Sequence, residues 1–128
     1  MIPPKKIGIA IVKSRGRYLV GIRGPDVPLA GYAEFPGGKC QPDESPLDCA
    51  VRECLEETGL TVIPEKLLQR IEFEYPHGKV DLHFVLCQPA GTAEIRDQHG
   101  GFFWRTYDQL TKMIFPEANA GVIELLRD

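Results

Sequence analysis

The segment 46–58, with the sequence PLDCAVRECLEET, concentrates carboxylates at a spacing suited to binding a metal ion. In a helix, Glu53 would lie on the same side of the cylinder as Glu56 and Glu57, which follow at i+3 and i+4. Like charges at these spacings destabilise a helix, and near its C-terminal end the helix dipole disfavours them further. Cations should therefore offset the charge. Arg52 can supply one, and a hard divalent metal such as Mg²⁺, bound by carboxylates together with substrate phosphates, can supply the rest.

The element that must position these carboxylates is a helix with clear boundary signals. Ser45 is a candidate N-cap, Pro46 suits the first helical position, and Gly59 is a natural stop after Thr58. Apolar side chains recur at helical spacing and predict one buried face opposite the carboxylates, made of Leu47, Ala50, Val51, Cys54 and Leu55. A solvated acidic surface helix would explain the carboxylates by themselves, but it would not explain the glycines and charges at fixed distances around them.

The spacing of charges and glycines around this helix resembles the Nudix box, G-x5-E-x7-R-E-U-x-E-E-x-G-U. Residues 38–60 match every polar and glycine position of that pattern: Gly38, Glu44, Arg52, Glu53, Glu56, Glu57 and Gly59. Cys54 replaces the usual aliphatic residue, which concerns packing because cysteine behaves as a small hydrophobe. Many relatives have Glu and Gly where this chain has Gln41 and Asp43, so the loop before the helix departs from the usual sequence.

The resemblance implies a fold class and a reaction. The fold is α/β, a Nudix-type α/β/α sandwich with a mixed β-sheet between helices, in one domain spanning 1–128. Nudix hydrolases use Mg²⁺, for which Mn²⁺ is expected to substitute, to direct water at phosphorus in a nucleoside diphosphate linked to a further group X. A non-catalytic Nudix-fold binding module is the alternative from another class of protein, and the intact set of acidic positions disfavours it.

The resemblance also implies roles within the box. The implied metal ligands are carboxylates and one backbone carbonyl: Glu53, Glu56, Glu57 and Gly37. Glu53 is either such a ligand or the base that orients the attacking water, and which carboxylate is the base stays open. Arg52 is implied to hold the carboxylates in place, and Glu44 to act electrostatically from behind them.

A narrower resemblance, to the MutT branch of the family, extends outside the box. That branch hydrolyses nucleoside triphosphates, notably 8-oxo-dGTP, to monophosphate and pyrophosphate. The segment 34–39, EFPGGK, matches it, and so does the Phe-Pro-x-x-Asn pattern at 115–119. The resemblance implies a substrate site formed by Arg23, Phe35, Gly38, Lys39, Tyr75 and Asn119. The Asn119 amide, which both donates and accepts hydrogen bonds, would read the purine edge.

Other interpretations of the substrate residues stay open. Asn119 has the residue type of a helix N-cap, Arg23 that of a surface ion pair, and Phe35 and Tyr75 those of core aromatics. His77 stands where some relatives carry an acidic residue. Within the family, the alternative substrates are a nucleotide sugar, a dinucleotide or a pyrimidine nucleotide.

One position of the MutT pattern departs from expectation. MutT relatives can supply an extra carboxylate from the loop before the tryptophan-containing strand. Counting back from Trp104, the matching position is Gln98, and Asp97 is adjacent. Either the loop register shifts and Asp97 becomes a metal ligand, or this chain lacks the role.

Composition sets limits on the class of protein. With 128 residues, 43% hydrophobic and 26% charged, the chain is expected to be one soluble globular domain. Its net charge of −3 argues against stable nucleic-acid binding.

The cysteines have no zinc-site spacing and are expected to be reduced thiols: Cys40, Cys49, Cys54 and Cys87. We expect no signal peptide, no membrane span and a cytoplasmic location. A monomer is favoured, although the oligomeric state stays open.

The remaining elements are read from hydrophobic periodicity and turn residues. The pattern predicts strands at 7–12, 18–22, 33–35, 67–75, 79–87 and 101–105, and further helical segments at 107–113 and 119–126. It predicts a turn at Gly37-Gly38, a connection at 61–66 and a long loop at 88–100.

Overall fold

The structure is a mixed β-sheet with helices on both faces. It is a computed structural model, and it describes residues 2–76 and 78–127. The strands are β1 (Lys5–Ser14), β2 (Arg17–Ile22), β3 (Ala33–Glu34), β4 (Gly37–Lys39), β5 (Val62–Tyr75), β6 (Gly78–Pro89), β7 (Gln98–His99) and β8 (Phe102–Thr106). The helices are α1 (Pro46–Thr58), α2 (Tyr107–Thr111) and α3 (Ala120–Leu125), and a 3-10 turn at Glu117–Asn119 precedes α3.

Strand β1 lies at the centre of the sheet, whose main order is β5-β6-β1-β2-β8-β7. It pairs with β6 in parallel and with β2 and β4 in antiparallel orientation. The pairing with β4 places Gly8 opposite Gly38. The glycine segment that precedes α1 is thereby fixed to the central strand, directly beneath the helix that carries the carboxylates.

Two cores, one on each face of the sheet, confirm the predicted sandwich. Successive side chains of a strand point to opposite faces. On one face, Val85 and Cys87 of β6 pack with Ala50 and Cys54 of α1. The other core combines strand residues with residues of α2, α3 and the segment before α3: Ile11, Tyr18, Val20, Phe35, Leu82, Phe84, Leu110, Ala118, Val122 and Leu126. No helix in the described ranges is both long and apolar enough to span a membrane.

The boundaries of α1 agree with the sequence prediction. The hydroxyl of Ser45 accepts a hydrogen bond from the Asp48 amide at 3.1 Å, and Pro46 is the first helical residue. At the other end, Gly59 has φ 74° and its amide donates to the carbonyl of Leu55. A left-handed residue of this kind ends a helix at little cost only if it is glycine or a similarly tolerant residue.

The predicted apolar face of α1 is confirmed at Ala50 and Cys54, which are buried, and is wrong at Leu55. Leu55 is 47% exposed, whereas Cys49 is fully buried. The reason is the close approach of the helix to β1: a Cβ atom on Gly8 would lie only 2.8 Å from the Cβ and Sγ atoms of Cys49. The buried side of α1 is therefore turned toward Cys49, and Glu53, one turn further along, lies over β4.

Strand pairing also corrects three predicted connections. The predicted turn at Gly37-Gly38 is strand β4, held by β1, and the predicted loop 88–100 contains β7, held by β8. The predicted connection 61–66 belongs mostly to β5, where register shifts near Pro64 and Leu67 interrupt the alternation of side chains. These pairings depend on distant partners, so local sequence does not reveal them.

Candidate active site

The glycine strand β4 and the last two turns of α1 form one site. The Gly37 amide donates a hydrogen bond of 2.8 Å to a carboxylate oxygen of Glu57. A Cβ atom on Gly38 would overlap the carboxyl group of Glu53. Because Gly38 has no side chain, the Glu53 carboxylate can lie directly against the backbone of the strand.

Arg52 connects the carboxylates of the site to one another. Its Nε and Nη2 atoms donate to the two carboxylate oxygens of Glu44 at 2.7 and 2.9 Å, which is a bidentate pair. Its Nη1 atom donates to Glu53 at 3.1 Å and to both oxygens of Glu56 at 3.1 and 3.2 Å. The Lys39 carbonyl accepts a further bond from Nη2 at 3.2 Å. One guanidinium thus fixes three carboxylates relative to β4.

Glu44 is an anion that supports Arg52. The hydrogen bond from Arg52, assisted by the Gln41 amide at 2.9 Å, lowers the pKa of Glu44 from its usual 4.5 to about 2. Its side chain is 13% exposed. A carboxylate with such a low pKa is a poor proton acceptor near neutral pH, so this geometry favours an electrostatic role for Glu44 over a role as base.

Glu57 has the opposite electrostatic environment. Desolvation, followed by the charges of Glu34, Glu53 and Glu56, raises the pKa of Glu57 to about 7, although the hydrogen bond from Gly37 acts in the other direction. The residue as a whole is exposed, so a cation can reach it from solvent. The site holds more negative charge than Arg52 neutralises, and its donors are hard carboxylate oxygens. Both properties fit Mg²⁺, which prefers oxygen ligands.

A cavity of about 250 Å³ adjoins this carboxylate cluster. Its lining combines backbone of the glycine strand with apolar, aromatic and polar side chains: Ile7, Ile9, Arg23, Glu34, Phe35, Gly37, Gly38, Tyr75, Leu82, Pro116 and Asn119. We refer to it as the β4 cavity. Gly37 and Gly38 belong both to this cavity and to the carboxylate cluster, so a molecule in the cavity would lie beside the carboxylates.

Two aromatic residues, Phe35 and Tyr75, line the β4 cavity. Phe35 is 6% exposed and stacks on Phe115, with ring centroids 5.1 Å apart and an interplanar angle of 25°. Tyr75 lies against Phe73, with centroids 4.8 Å apart. Phe35 therefore serves the core and the cavity together, and the prediction of a core aromatic describes part of its environment.

Arg23 is held at the edge of the β4 cavity by two hydrogen bonds. Its Nη1 atom donates to Glu34 at 2.9 Å, and its Nε atom donates to the Pro28 carbonyl at 2.6 Å. The arginine and carboxylate side chains are 29% and 33% exposed. The predicted ion pair of Arg23 is therefore present, and it lies in the cavity lining.

Asn119 lines the β4 cavity without acting as a helix cap. It precedes α3, but its side chain makes no capping hydrogen bond. The residue is 8% exposed. The N-cap interpretation is therefore wrong for this side chain, and its buried amide is positioned at the wall of a cavity next to Pro116.

Two predicted residues, Lys39 and Asp97, line cavities other than the β4 cavity, and a third falls outside the described residues. Lys39 is exposed and lines a neighbouring cavity beside Glu44, although its carbonyl contacts Arg52. Asp97 is exposed and lines a different cavity with Trp104. His77 lies outside the described residues.

Asp97 is not brought to the carboxylate cluster. It lines a cavity with Arg17 and Trp104, and neither Glu53, Glu56 nor Glu57 lines that cavity. The cause is the anchoring of its loop: Trp104 Nε1 donates to the Arg96 carbonyl at 2.8 Å. This placement does not support Asp97 as a metal ligand.

Glu34 is a site residue that the sequence prediction did not assign. It lines the β4 cavity, pairs with Arg23 and contributes to the raised pKa of Glu57. Its position directly before Phe35, in a segment already matched to the MutT pattern, was the available signal.

Comparison with protein families and known proteins gives a consistent result. The NUDIX domain model matches residues 3–126. The 8-oxo-dGTP diphosphatase of Escherichia coli (strain K12) is 31% identical over 124 residues, covering 95% of this chain and 95% of that protein. The 8-oxo-dGTP diphosphatase of Haemophilus influenzae (strain ATCC 51907 / DSM 11121 / KW20 / Rd) is 36% identical over 99 residues, covering 77% and 72%.

Solved structures share the same architecture. The MutT protein from Methanosarcina mazei Go1 superposes with a TM-score of 0.78 at 25% identity, covering 97% of this chain and 93% of that one. The DNA mismatch repair protein MutT, a Nudix hydrolase from methicillin-resistant Staphylococcus aureus 252, superposes with a TM-score of 0.77 at 26% identity, covering 98% and 97%. The mixed sheet and its helices are therefore those of this group of structures.

Proposed function

The chain belongs to the Nudix family, and on this basis we propose that it is a Mg²⁺-dependent nucleoside triphosphate pyrophosphohydrolase acting on oxidised purine nucleotides such as 8-oxo-dGTP. Its products would be a nucleoside monophosphate and pyrophosphate. The observation that carries the proposal is the shared position of Gly37 and Gly38, which border both the carboxylate cluster and the β4 cavity. The relatives named 8-oxo-dGTP diphosphatase support the choice of substrate.

The proposed metal ligands are the carboxylates of Glu53, Glu56 and Glu57 and the carbonyl of Gly37. When bound, Mg²⁺ polarises phosphoryl oxygens, activates water and orients the leaving group, and Mn²⁺ is expected to substitute. Desolvation, together with the negative charges of the neighbouring carboxylates, raises the pKa of Glu57. This supports the assignment, because a divalent cation would offset that repulsion.

The protein groups around the metal position the reaction. Arg52 holds Glu53 and Glu56 at fixed places, and Glu44 holds Arg52 through a bidentate pair. Glu53, which lies against the backbone of Gly38, is a metal ligand or the base that orients water. Fixed orientation of water and phosphate increases the rate because the translational and rotational entropy of the reactants is lost on binding and not in the chemical step.

The proposed base-recognition site is the β4 cavity. Phe35 and Tyr75 supply aromatic surface against which a purine can pack. Asn119 supplies an amide that can donate to and accept from the edge of the base. Arg23, which pairs with Glu34 in the cavity lining, would contact the nucleotide.

A pyrimidine nucleotide is the second candidate substrate. The CTP pyrophosphohydrolase of Escherichia coli (strain K12) is 43% identical over 51 residues, covering 40% of this chain and 38% of that protein. This match spans a smaller part of the chain than the matches to the 8-oxo-dGTP diphosphatases, so we rank it second. Nucleotide sugars and dinucleotides rank below it.

We further propose that the chain acts as a cytoplasmic monomer on free nucleotides, which would keep oxidised bases out of DNA. The net charge of −3 fits a small substrate carried in with a metal ion better than a nucleic-acid backbone.

A panel of nucleotides tests the substrate assignment. It should contain 8-oxo-dGTP, dGTP, dATP, CTP, a nucleotide sugar and a dinucleotide, each with Mg²⁺ and with Mn²⁺, and be scored for monophosphate and pyrophosphate. We expect the highest kcat/KM for 8-oxo-dGTP. A higher value for CTP would replace the purine assignment with the pyrimidine one.

A further inference from the structure

Two thiols lie together beside the site without a part in the proposed reaction. The Sγ atoms of Cys40 and Cys49 and a carboxylate oxygen of Glu44 lie within 4.8 Å of one another. Cys40 follows β4, where its amide donates to the Lys6 carbonyl at 2.9 Å. Cys49 lies in the first turn of α1. The two thiols therefore lie on opposite sides of the contact between the strand and the helix that together form the site.

The two thiols differ in their access to solvent. Cys40 is half-buried and Cys49 is fully buried, and both are free thiols. A dissolved oxidant can therefore reach Cys40 first, and Cys49 is the neighbour that can resolve the product. This arrangement, an accessible thiol next to a second one, is common among redox-sensitive cysteine pairs.

A metal ion explains the cluster less well than a disulfide does. Both carboxylate oxygens of Glu44 already accept hydrogen bonds, two from Arg52 and one from the Gln41 amide. A thiophilic metal would have to displace them, because two thiolates alone are an incomplete ligand set. A disulfide requires only the two sulfurs.

We propose that Cys40 and Cys49 form a reversible disulfide that links β4 to α1 and lowers the hydrolytic activity. The oxidant is a hydroperoxide. The Cys40 thiolate attacks the peroxide oxygen, giving a sulfenic acid and releasing hydroxide, which takes up the thiol proton to become water. The Cys49 sulfur then attacks the Cys40 sulfur, and a second water leaves. Overall, two thiols and one hydrogen peroxide give one disulfide and two waters.

Formation of the bond would disturb the carboxylate cluster through β4. A disulfide brings its sulfurs to about 2.05 Å, so the side chains of Cys40 and Cys49 must come closer together, and we expect the end of β4 to follow Cys40 toward the helix. The thiol of Cys49, which now donates to the Gly38 carbonyl at 3.4 Å, would lose its proton. Gly38 supports Glu53, and the neighbouring Lys39 carbonyl supports Arg52. A shift of β4 therefore changes the placement of both groups.

Mass spectrometry of the whole chain tests the disulfide independently of any activity. Trypsin cleavage after Lys39 and Arg52 gives a peptide, residues 40–52, that contains both cysteines. After hydrogen peroxide treatment, the protein is denatured and its free thiols are blocked with maleimide, and we expect this peptide to lack two hydrogen atoms and to carry no maleimide. Cys54 and Cys87, which are fully buried on separate tryptic peptides, provide the internal control and should not be joined.

The effect on hydrolysis rests on the proposed function and has its own measurement. Pyrophosphate release by the oxidised protein should fall about tenfold or more, since small displacements of catalytic groups are costly, and should recover with dithiothreitol. Cys40→Ser should keep its activity after peroxide, whereas the control Cys87→Ala should lose it like the wild type.

If the disulfide forms and no preparation releases pyrophosphate, the proposed function fails and the thiol pair stands. Maleimide on both cysteines of peptide 40–52 after peroxide, in protein that is still folded by circular dichroism, overturns the disulfide. A disulfide without loss of activity overturns its effect on hydrolysis.

Discussion

The Gly37 amide donates a 2.8 Å hydrogen bond to the carboxylate of Glu57. This bond joins strand β4 to the helix that carries the carboxylates, and Gly37 also lines the β4 cavity. One backbone position therefore relates the proposed metal site to the proposed base site. The distance between these two sites is set by the sheet and not by a loop, which is the arrangement that fixed positioning of a substrate requires.

Substitution of Gly38 should impair the reaction more than the fold. In Gly38→Ala, the new Cβ atom displaces the Glu53 carboxyl group, which is the end of a flexible side chain. We expect kcat/KM to fall by about 100-fold, as for other small displacements of catalytic groups, with little change in the melting temperature. Gly91→Ala is the matched control, since a Cβ there meets no atom within 4 Å. Equal kcat/KM in the two variants would contradict the contact between Gly38 and Glu53.

Replacement of Arg52 by lysine should weaken metal binding although the charge is kept. A lysine cannot make the bidentate pair with Glu44 while also contacting Glu53 and Glu56. We expect the Mg²⁺ concentration for half-maximal activity to rise about 10- to 100-fold, as for other residues that hold metal ligands. Arg127→Lys, in the exposed pair with Glu124, should leave it unchanged. An unchanged Mg²⁺ requirement in Arg52→Lys would contradict the role of the guanidinium.

The pair of Glu44 with Arg52 should make stability depend on acidity in a defined range. The pKa of Glu44 is lowered to about 2 from 4.5, so the folded state binds its proton more weakly than the unfolded state. The resulting stabilisation is complete above about pH 4.5 and is lost as the pH falls toward 2. In metal-free buffer, the melting temperature of Glu44→Gln should lie below that of the wild type at pH 7, and the difference should shrink by pH 3.

A control for this pH effect comes from an exposed ion pair. Glu94 and Arg96 are 76% and 69% exposed, and such a pair contributes little to stability at any pH. Glu94→Gln should therefore match the wild type at both pH values. A melting-temperature difference for Glu44→Gln that is the same at pH 7 and pH 3 would show that the carboxylate charge does not stabilise the fold.

Removal of the Asn119 amide should affect substrate choice. Loss of hydrogen bonds to a buried base edge costs about 10- to 100-fold in kcat/KM. We therefore expect kcat/KM for 8-oxo-dGTP to fall by about this factor in Asn119→Ala. Gln88→Ala, which removes an exposed amide on β6, is the control. If Asn119→Ala keeps wild-type activity on 8-oxo-dGTP, purine recognition through this residue is wrong.

Local signals explain why α1 was predictable. The N-cap at Ser45 and the left-handed Gly59 are set by residues within or next to the helix, and both are confirmed. Asp43 illustrates the same point within the loop. It has φ 64°, a conformation that suits glycine and that aspartate tolerates better than most residues. The loop therefore retains a left-handed residue although its sequence departs from the family pattern.

Features that depend on distant partners were not predictable. Cys49 is buried because Gly8 of β1 has no side chain, so that α1 can pack closely against this strand. Strand β4 exists because β1 pairs with it, and Asp97 lies apart because Trp104 anchors its loop. The positions of the proposed metal ligands along α1 follow from helical spacing, whereas the cavity that adjoins them depends on how the sheet and α3 assemble.

The most direct measurement is pyrophosphate release from 8-oxo-dGTP by the wild type and by Glu53→Gln, each with Mg²⁺ and with EDTA. Glu53→Gln keeps the shape of the side chain and removes its charge. Metal-dependent hydrolysis through Glu53 predicts equal amounts of monophosphate and pyrophosphate from the wild type, only with Mg²⁺, and a rate about 100-fold or more lower in Glu53→Gln, as for loss of a general base. Pyrophosphate release that persists in EDTA, or that is unchanged in Glu53→Gln, would contradict it.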